Sequence, residues 1–253
     1  MAADGRPGWA LVLIFVAGTF LMRSAGCAIN DAADAPFDAH VQRTRERVVA
    51  TGELARSEAI LVAGAMAAVA GLLLIPLNQP SLQLAMVALV LAATYPLFKR
   101  FFPIPQFYLG LAFSFGIPMA FAAVQGTVPM LGWLMFIANQ FWVVAYDTEY
   151  AMVDREDDLK LGVRSSAVFF GRWDVTIIML CYAVFLALTL VIGLALEAAW
   201  PYWLGLACAA GFIVMHYGWI RKRDRAACFR AFRHNNWVGL AVFAGIAGNY
   251  LLG

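Results

Sequence analysis

Charge is scarce in this chain, and what there is lies bunched. Lys, Arg, Asp and Glu make up 13% of the 253 residues while 63% are hydrophobic. That is about half the charge of an ordinary soluble domain, which excludes one. Paired cysteine chemistry is missing as well. Cys27, Cys181, Cys208 and Cys228 lie in or beside apolar runs with no CxxC spacing. This excludes a disulfide scaffold or thiol redox motif and predicts free thiols in packing roles. No Ser-His-Asp set, glycine-rich phosphate loop or nucleic-acid signature is visible. His40, His216 and His234 stand isolated without ligand spacing, and each reads as structural.

What fills the chain is apolar sequence of spanning length. Eight runs, at about 9–29, 57–77, 82–98, 104–124, 130–153, 173–196, 200–220 and 236–252, each reach 17 residues or more, enough to cross a bilayer core of about 30 Å. The first enters a charged loop without a small-residue cleavage site, so it reads as a span and not as a signal peptide. The fold expected is all-α: a polytopic bundle in the lipid bilayer, one integral-membrane domain over 1–253. Gly110, Gly116 and Pro118 mark positions where a membrane helix kinks.

The connections alternate in character. Three of them (LNQPS, QGTVPM and LEAAWP) carry one charge among them, Glu197, whereas 30–56, 99–103, 154–172 and 221–235 hold 16 of the 18 Lys and Arg. By the positive-inside rule the charged end is cytoplasmic, with Met1 and the C-terminus outside. Arg221, Lys222, Arg223 and Arg225 read as plain anchoring charges. Nearly all the acids crowd that same end, which is more than topology requires. A polar cap with a charged site is the reading.

Two acidic constellations carry it. In Asn30-Asp31-Ala-Ala-Asp34-Ala-Pro-Phe-Asp38, the residues Asn30, Asp34 and Asp38 are spaced i, i+4, i+8 and share one helical face within roughly 80°. Pro36 disfavours helix at Ala35, so a loosened turn is expected at Asp38. The second runs from Tyr146 and Asp147 to Asp154, Asp157 and Asp158, with Asp147, Asp154 and Asp158 at i, i+7, i+11, again on one face within roughly 60°. Asp147 lies in the last turns of an apolar span, where an unpaired carboxylate is costly. Carboxylates in this pattern suit a hard cation such as Mg2+. The interleaved Arg43, Arg45, Arg47, Lys99, Arg100, Lys160 and Arg164 would complete a polyphosphate cradle. Tyr95 and Lys99 share a face at a helix exit.

With these residues in view, the sequence resembles the UbiA superfamily of membrane prenyltransferases, and within it the enzymes that prenylate 4-hydroxybenzoate. The likeness runs through FVAGTFLMRSAGCAINDAADAPFDAHVQRTR, TYPLFKRFFPIPQ, NQFWVVAYDTEYAMVDREDDLKLGVRSSAVFFG and ACFRAFRHNNWVGL. It implies Mg2+ ligation by Asp34, Asp38, Asp154 and Asp158, with Asn30, Asp31, Arg43, Lys99 and Lys160 toward a polyprenyl diphosphate. Tyr95 joins Lys99 as a catalytic candidate, and Arg100, Tyr146 and Asp147 are candidates for the acceptor, 4-hydroxybenzoate. Homogentisate or a naphthoate is the alternative acceptor, and a homologue that only binds prenyl diphosphate the alternative function. The resemblance further implies a bacterial inner-membrane location in ubiquinone synthesis, and nine membrane helices against the eight here. By that comparison the chain is short at its N-terminus.

Overall fold

A computed structural model of the chain describes residues 1–39, 41, 43–98 and 101–252. Every regular element among them is helical: α1 (Trp9–Asp38), α2 (Arg56–Leu72), α3 (Gln79–Phe98), α4 (Pro105–Ser114), α5 (Gly116–Gln125), α6 (Met130–Leu161), α7 (Ser166–Phe170), α8 (Asp174–Ala195), α9 (Trp200–Ile220) and α10 (Arg225–Leu252). Five helical units are long and apolar enough to cross a membrane: α1, α3, α4 with α5, α7 with α8, and α9. Large side chains such as Leu13, Phe20, Leu61, Val214 and Phe243 stand exposed on the outer faces, as lipid-facing residues do. The protein is a multi-pass membrane bundle. The remaining predicted spans fall on α2, which has 17 residues, and on α6 and α10. The last two carry Asn139, Gln140 and Asp147, and Asn235, Asn236 and Asn249. Much of α6 is buried among other helices, and a helix enclosed by protein can hold polar residues that lipid would reject.

Prolines set two local features. Pro118 has no N–H, and its ring would collide with the carbonyl four residues back, at Ser114. The helix accordingly breaks there, α4 ending at Ser114 and α5 starting at Gly116. Pro36 behaves differently from expectation. No loosened turn forms, and α1 continues through it to Asp38. The carbonyl that Pro36 cannot engage belongs to Ala32, and it accepts a 2.8 Å hydrogen bond from Arg56 Nε at the start of α2. A borrowed donor removes the cost of the missing one, so the helix persists and the three-residue acidic face stays intact.

The two ends of the bundle differ as the charge pattern predicts. At one end the uncharged segments meet: Asn78 donates to the Ala122 carbonyl (2.6 Å), Gln125 to the Ala2 carbonyl (2.9 Å), and the Ala199 amide to Asn249 (2.7 Å). At the other, charged side chains join α1, α2, α6, α8 and α10. Asp174, fully buried at the start of α8, accepts hydrogen bonds from Arg223 at 2.6–3.1 Å.

Packing between helices relies on small residues, since lipid supplies no hydrophobic drive for helix association. The α1–α2 contact buries Ala25, Ala32, Ala59 and Ala63. The α9–α10 contact is closest at Gly205, where a Cβ would sit 2.5 Å from the Ala241 carbonyl oxygen and 2.7 Å from Gly245 Cα. Gly205 thus serves helix packing, and so does Gly193, where a Cβ would meet Tyr202 and Trp203. Gly205→Val should cost about 1–3 kcal/mol through overpacking against backbone that has no room to move. Thermal unfolding in detergent should show a lowered Tm for it, while Gly211→Ala, which meets nothing within 4 Å, stays near the parent.

Candidate active site

Both acidic constellations ride on helices that run past the hydrocarbon-length part of their sequence. The continuity of α6 to Leu161, where Gly162 (φ 68°) turns the chain, keeps Asp147, Asp154 and Asp158 in one register. They therefore share a face as expected. Asp31, Asp34 and Asp38 occupy the last turns of α1.

Arginines from the loop after α1 tie that loop to both helix ends, Arg47 to α1 and Arg43 to α6. Arg43 donates to Asp154 through Nε (3.0 and 3.2 Å) and through its terminal nitrogen (2.5 Å). The same guanidinium lies 4.4 Å from the centroid of the Tyr150 ring, and Tyr150 stacks on Phe232 at 4.4 Å. Arg47 bridges Asp31 (2.8 Å) and Asp38 (3.0 Å). Burial works against the charge of Arg43, but the hydrogen bonds to Asp154 and the nearby charges outweigh it and raise its pKa. Asp158, beyond the membrane-length part of α6, is pushed by burial up to about 6, against a lowering hydrogen bond from Ser165.

Deeper along the same face, Tyr95 comes within electrostatic reach of Asp34, Asp147 and Tyr150. Arg23 approaches Asp147, its guanidinium 4.7 Å from the Phe113 ring centroid. Tyr146 meets Trp142 edge-on at 5.4 Å. The structure thus gathers Asp31, Asp34, Asp38, Arg43, Tyr95, Tyr146, Asp147, Tyr150, Asp154 and Asp158 at one end of the bundle, with Asn30 on the same stretch of α1. Lys160 is not drawn in; it stands exposed in the last turn of α6, where a cation suits the carbonyl end of a helix. Lys99, Arg100 and His40 lie outside the described residues.

Among the described residues no three His, Cys, Asp or Glu side chains converge closely enough to hold a metal ion. The donor set is nevertheless of the right kind. Asp34 and Asp38 on α1 and Asp154 and Asp158 on α6 offer hard oxygen ligands, and in this arrangement Arg43 and Arg47 pair with three members of the cluster: Asp31, Asp38 and Asp154.

One sequence reading is revised, and one residue gains a place that the sequence analysis did not give it. His216 and His234 are not isolated: His216 Nε2 and His234 Nδ1 lie 3.1 Å apart, because α9 and α10 pack side by side. Glu149, two residues after Asp147, is fully buried on the opposite side of α6 beside Tyr182, His216 and Asn235. The spacing did carry a signal, since Glu149 falls about 140–180° from the acidic face on a 3.6-residue helix. Its partners come from α8, α9 and α10, and no local pattern could name them. The four cysteines are free, Cys181 and Cys228 buried and Cys27 and Cys208 exposed.

Comparison with known proteins points one way. The profile of the UbiA prenyltransferase family matches residues 1–238. The 4-hydroxybenzoate octaprenyltransferase of Cupriavidus necator is 62% identical over 252 residues, covering all of this chain and 88% of that protein. The protein of the same name from Burkholderia mallei is 60% identical, with the same coverage. Among solved structures, an apo UbiA homolog from Aeropyrum pernix K1 superposes with a TM-score of 0.85 at 25% identity, over 99% of this chain and 94% of that one. A UbiA homolog from Archaeoglobus fulgidus bound to GPP and Mg2+ gives 0.74 at 16% identity, over 96% and 89%. At that identity the likeness concerns the fold.

The Arg43–Asp154 pair is half-buried and bidentate, so it should couple measurably. A double-mutant cycle with Arg43→Met and Asp154→Asn, read by thermal unfolding in detergent without divalent cations, should return a coupling of about 0.5–3 kcal/mol. Strictly additive effects would mean that solvent screens the pair.

Proposed function

Because this chain belongs to the UbiA prenyltransferase family, we propose that it transfers a polyprenyl group from polyprenyl diphosphate to 4-hydroxybenzoate. The attacked position is the ring carbon ortho to the hydroxyl, a step in ubiquinone synthesis. The observation that carries this reading is the clasp of Asp154 on α6 by Arg43, with Asp38 of α1 within its electrostatic reach, in a chain 62% identical over its whole length to a 4-hydroxybenzoate octaprenyltransferase. The setting is a bacterial inner membrane crossed by eight helical spans, with the site on the cytoplasmic side where the cations gather.

In this reading Asp34, Asp38, Asp154 and Asp158 hold Mg2+. When bound, the metal offsets the negative charge that builds on the diphosphate as the allylic C–O bond breaks. Arg43, whose planar fork holds Asp154 here, would grip phosphate oxygens of the diphosphate. Asn30 and Asp31 belong to the same diphosphate end, and Lys99 is the lysine assigned to it from the sequence; Lys160, exposed at the end of α6, has no part in this reading. The Tyr146, Tyr150 and Phe232 rings form an aromatic wall whose π faces favour positive charge on the allylic carbon. Tyr95, Tyr146, Asp147 and Arg100 receive the phenol acceptor. Its ring carbon forms the new C–C bond, the ring proton is lost to a base, and diphosphate leaves. The lipid-facing helices exclude water from the cationic carbon and let the polyprenyl tail extend into the bilayer.

Asp34→Ala or Asp154→Ala should lower Mg2+-dependent prenylation in membranes on the order of 100-fold or more, with the amount of protein unchanged. Undiminished turnover in both variants would reject the assignment.

A further inference from the structure

The back of α6 carries a polar centre for which the reaction has no use. Glu149 is fully buried, and its carboxylate is met by three other helices. Oε1 accepts from the Tyr182 hydroxyl of α8 (3.1 Å) and lies 3.4 Å from His216 Nδ1 of α9; Oε2 accepts from Asn235 Nδ2 of α10 (2.8 Å). Asn235 is held in turn. Its amide also donates to the Ala231 carbonyl (3.1 Å), and its oxygen accepts from Trp142 Nε1 (3.0 Å) and is 2.9 Å from the Tyr182 hydroxyl. Every polar atom of Glu149 and Asn235 therefore has a partner, and Trp142 returns the chain of contacts to α6 itself.

We propose that Glu149 is a positioning residue, which fixes the rotation of α6 so that its acidic face meets the end of α1. The inference rests on the reading that Asp154 and Asp158 hold a divalent cation. Interhelical hydrogen bonds in a membrane contribute only about 0.6 kcal/mol each, so their sum is not the main effect. The directional effect is larger. A rotation of α6 by about 20° carries a side-chain tip, about 6 Å from the axis, through about 2 Å. Hydrogen bonds of 3.1 and 2.8 Å to α8 and α10, with the 3.4 Å contact to His216 of α9, cannot survive that shift together. A fully buried carboxylate left without donors costs several kcal/mol, so the register is held sharply. Asp154 and Asp158 lie about 140–180° round the helix from Glu149. The same rotation would displace them by the same 2 Å, whereas a site of this kind tolerates about 0.5 Å. One carboxylate thus acts as the back stop for the others.

The test uses the purified full chain in detergent, with Mn2+ as the spectroscopic substitute for Mg2+ and a non-reactive prenyl thiolodiphosphate. Free Mn2+ is followed by electron paramagnetic resonance and binding is normalised to folded, monodisperse protein. Glu149→Leu should weaken Mn2+ binding about tenfold, and Tyr182→Phe, which removes one hydroxyl and keeps the ring, about threefold. Glu149→Gln, which retains an acceptor for Tyr182, should stay within about threefold of the parent. A role in stability alone would lower Tm and yield while leaving the Mn2+ Kd of the folded protein unchanged in all three variants, and that result overturns the proposal. If Glu149→Leu does not fold, Tyr182→Phe decides: an unchanged Kd refutes, a weakened one supports. Should the parent chain itself bind no Mn2+ with the analogue, the cation-site reading fails first and this proposal with it.

Discussion

A carboxylate at the edge of a hydrocarbon layer must be matched by a cation or by donors, and this bundle is arranged around that constraint. Its acids are distributed over the ends of α1 and α6, and the partners arrive from elsewhere in the chain. Arg43 and Arg47 come from the loop after α1, Arg225 from the start of α10 to Asp157 (3.0 Å), and Arg223 to Asp174. Each pairing crosses between elements, so these charges tie the helix ends into one cap. The opposite end, with almost no charge, is joined by amide side chains on backbone carbonyls instead.

The same constraint explains why α6 is the central element. Its front face carries Asp147, Asp154 and Asp158; its back face carries Glu149. Both faces are polar, so neither can look at lipid, and the helix is enclosed by α4, α8 and α10. Of the front acids, Asp154 is held by the Arg43 fork from the loop after α1. The rear acid is held by neutral donors and a histidine in a closed arrangement. The front of the helix is met by a loop arginine, and its back is closed by three neighbouring helices.

Much of this was legible in the sequence. Apolar length located the helices, charge asymmetry separated the two ends, and the i, i+7, i+11 spacing of Asp147, Asp154 and Asp158 put them on one face, because each is a property of the local chain. What escaped depends on partners distant in sequence. Pro36 announces a broken turn until Arg56 supplies the donor to Ala32. His216 and His234 look solitary until α9 and α10 are laid side by side. Glu149 sits in a run of acids and belongs with none of them. Helical phase sets it apart from the acidic face, but the identity of Tyr182, His216 and Asn235 as its company follows from tertiary packing alone.

The account stands or falls on whether this chain joins a prenyl group to a phenolic carboxylic acid with a divalent cation. The direct measurement is mass spectrometry of membranes containing the chain, incubated with 4-hydroxybenzoate and a polyprenyl diphosphate, with Mg2+ or with EDTA. A ring-prenylated 4-hydroxybenzoate formed with Mg2+ and absent with EDTA is the predicted result. No product under either condition, or equal product under both, would contradict it.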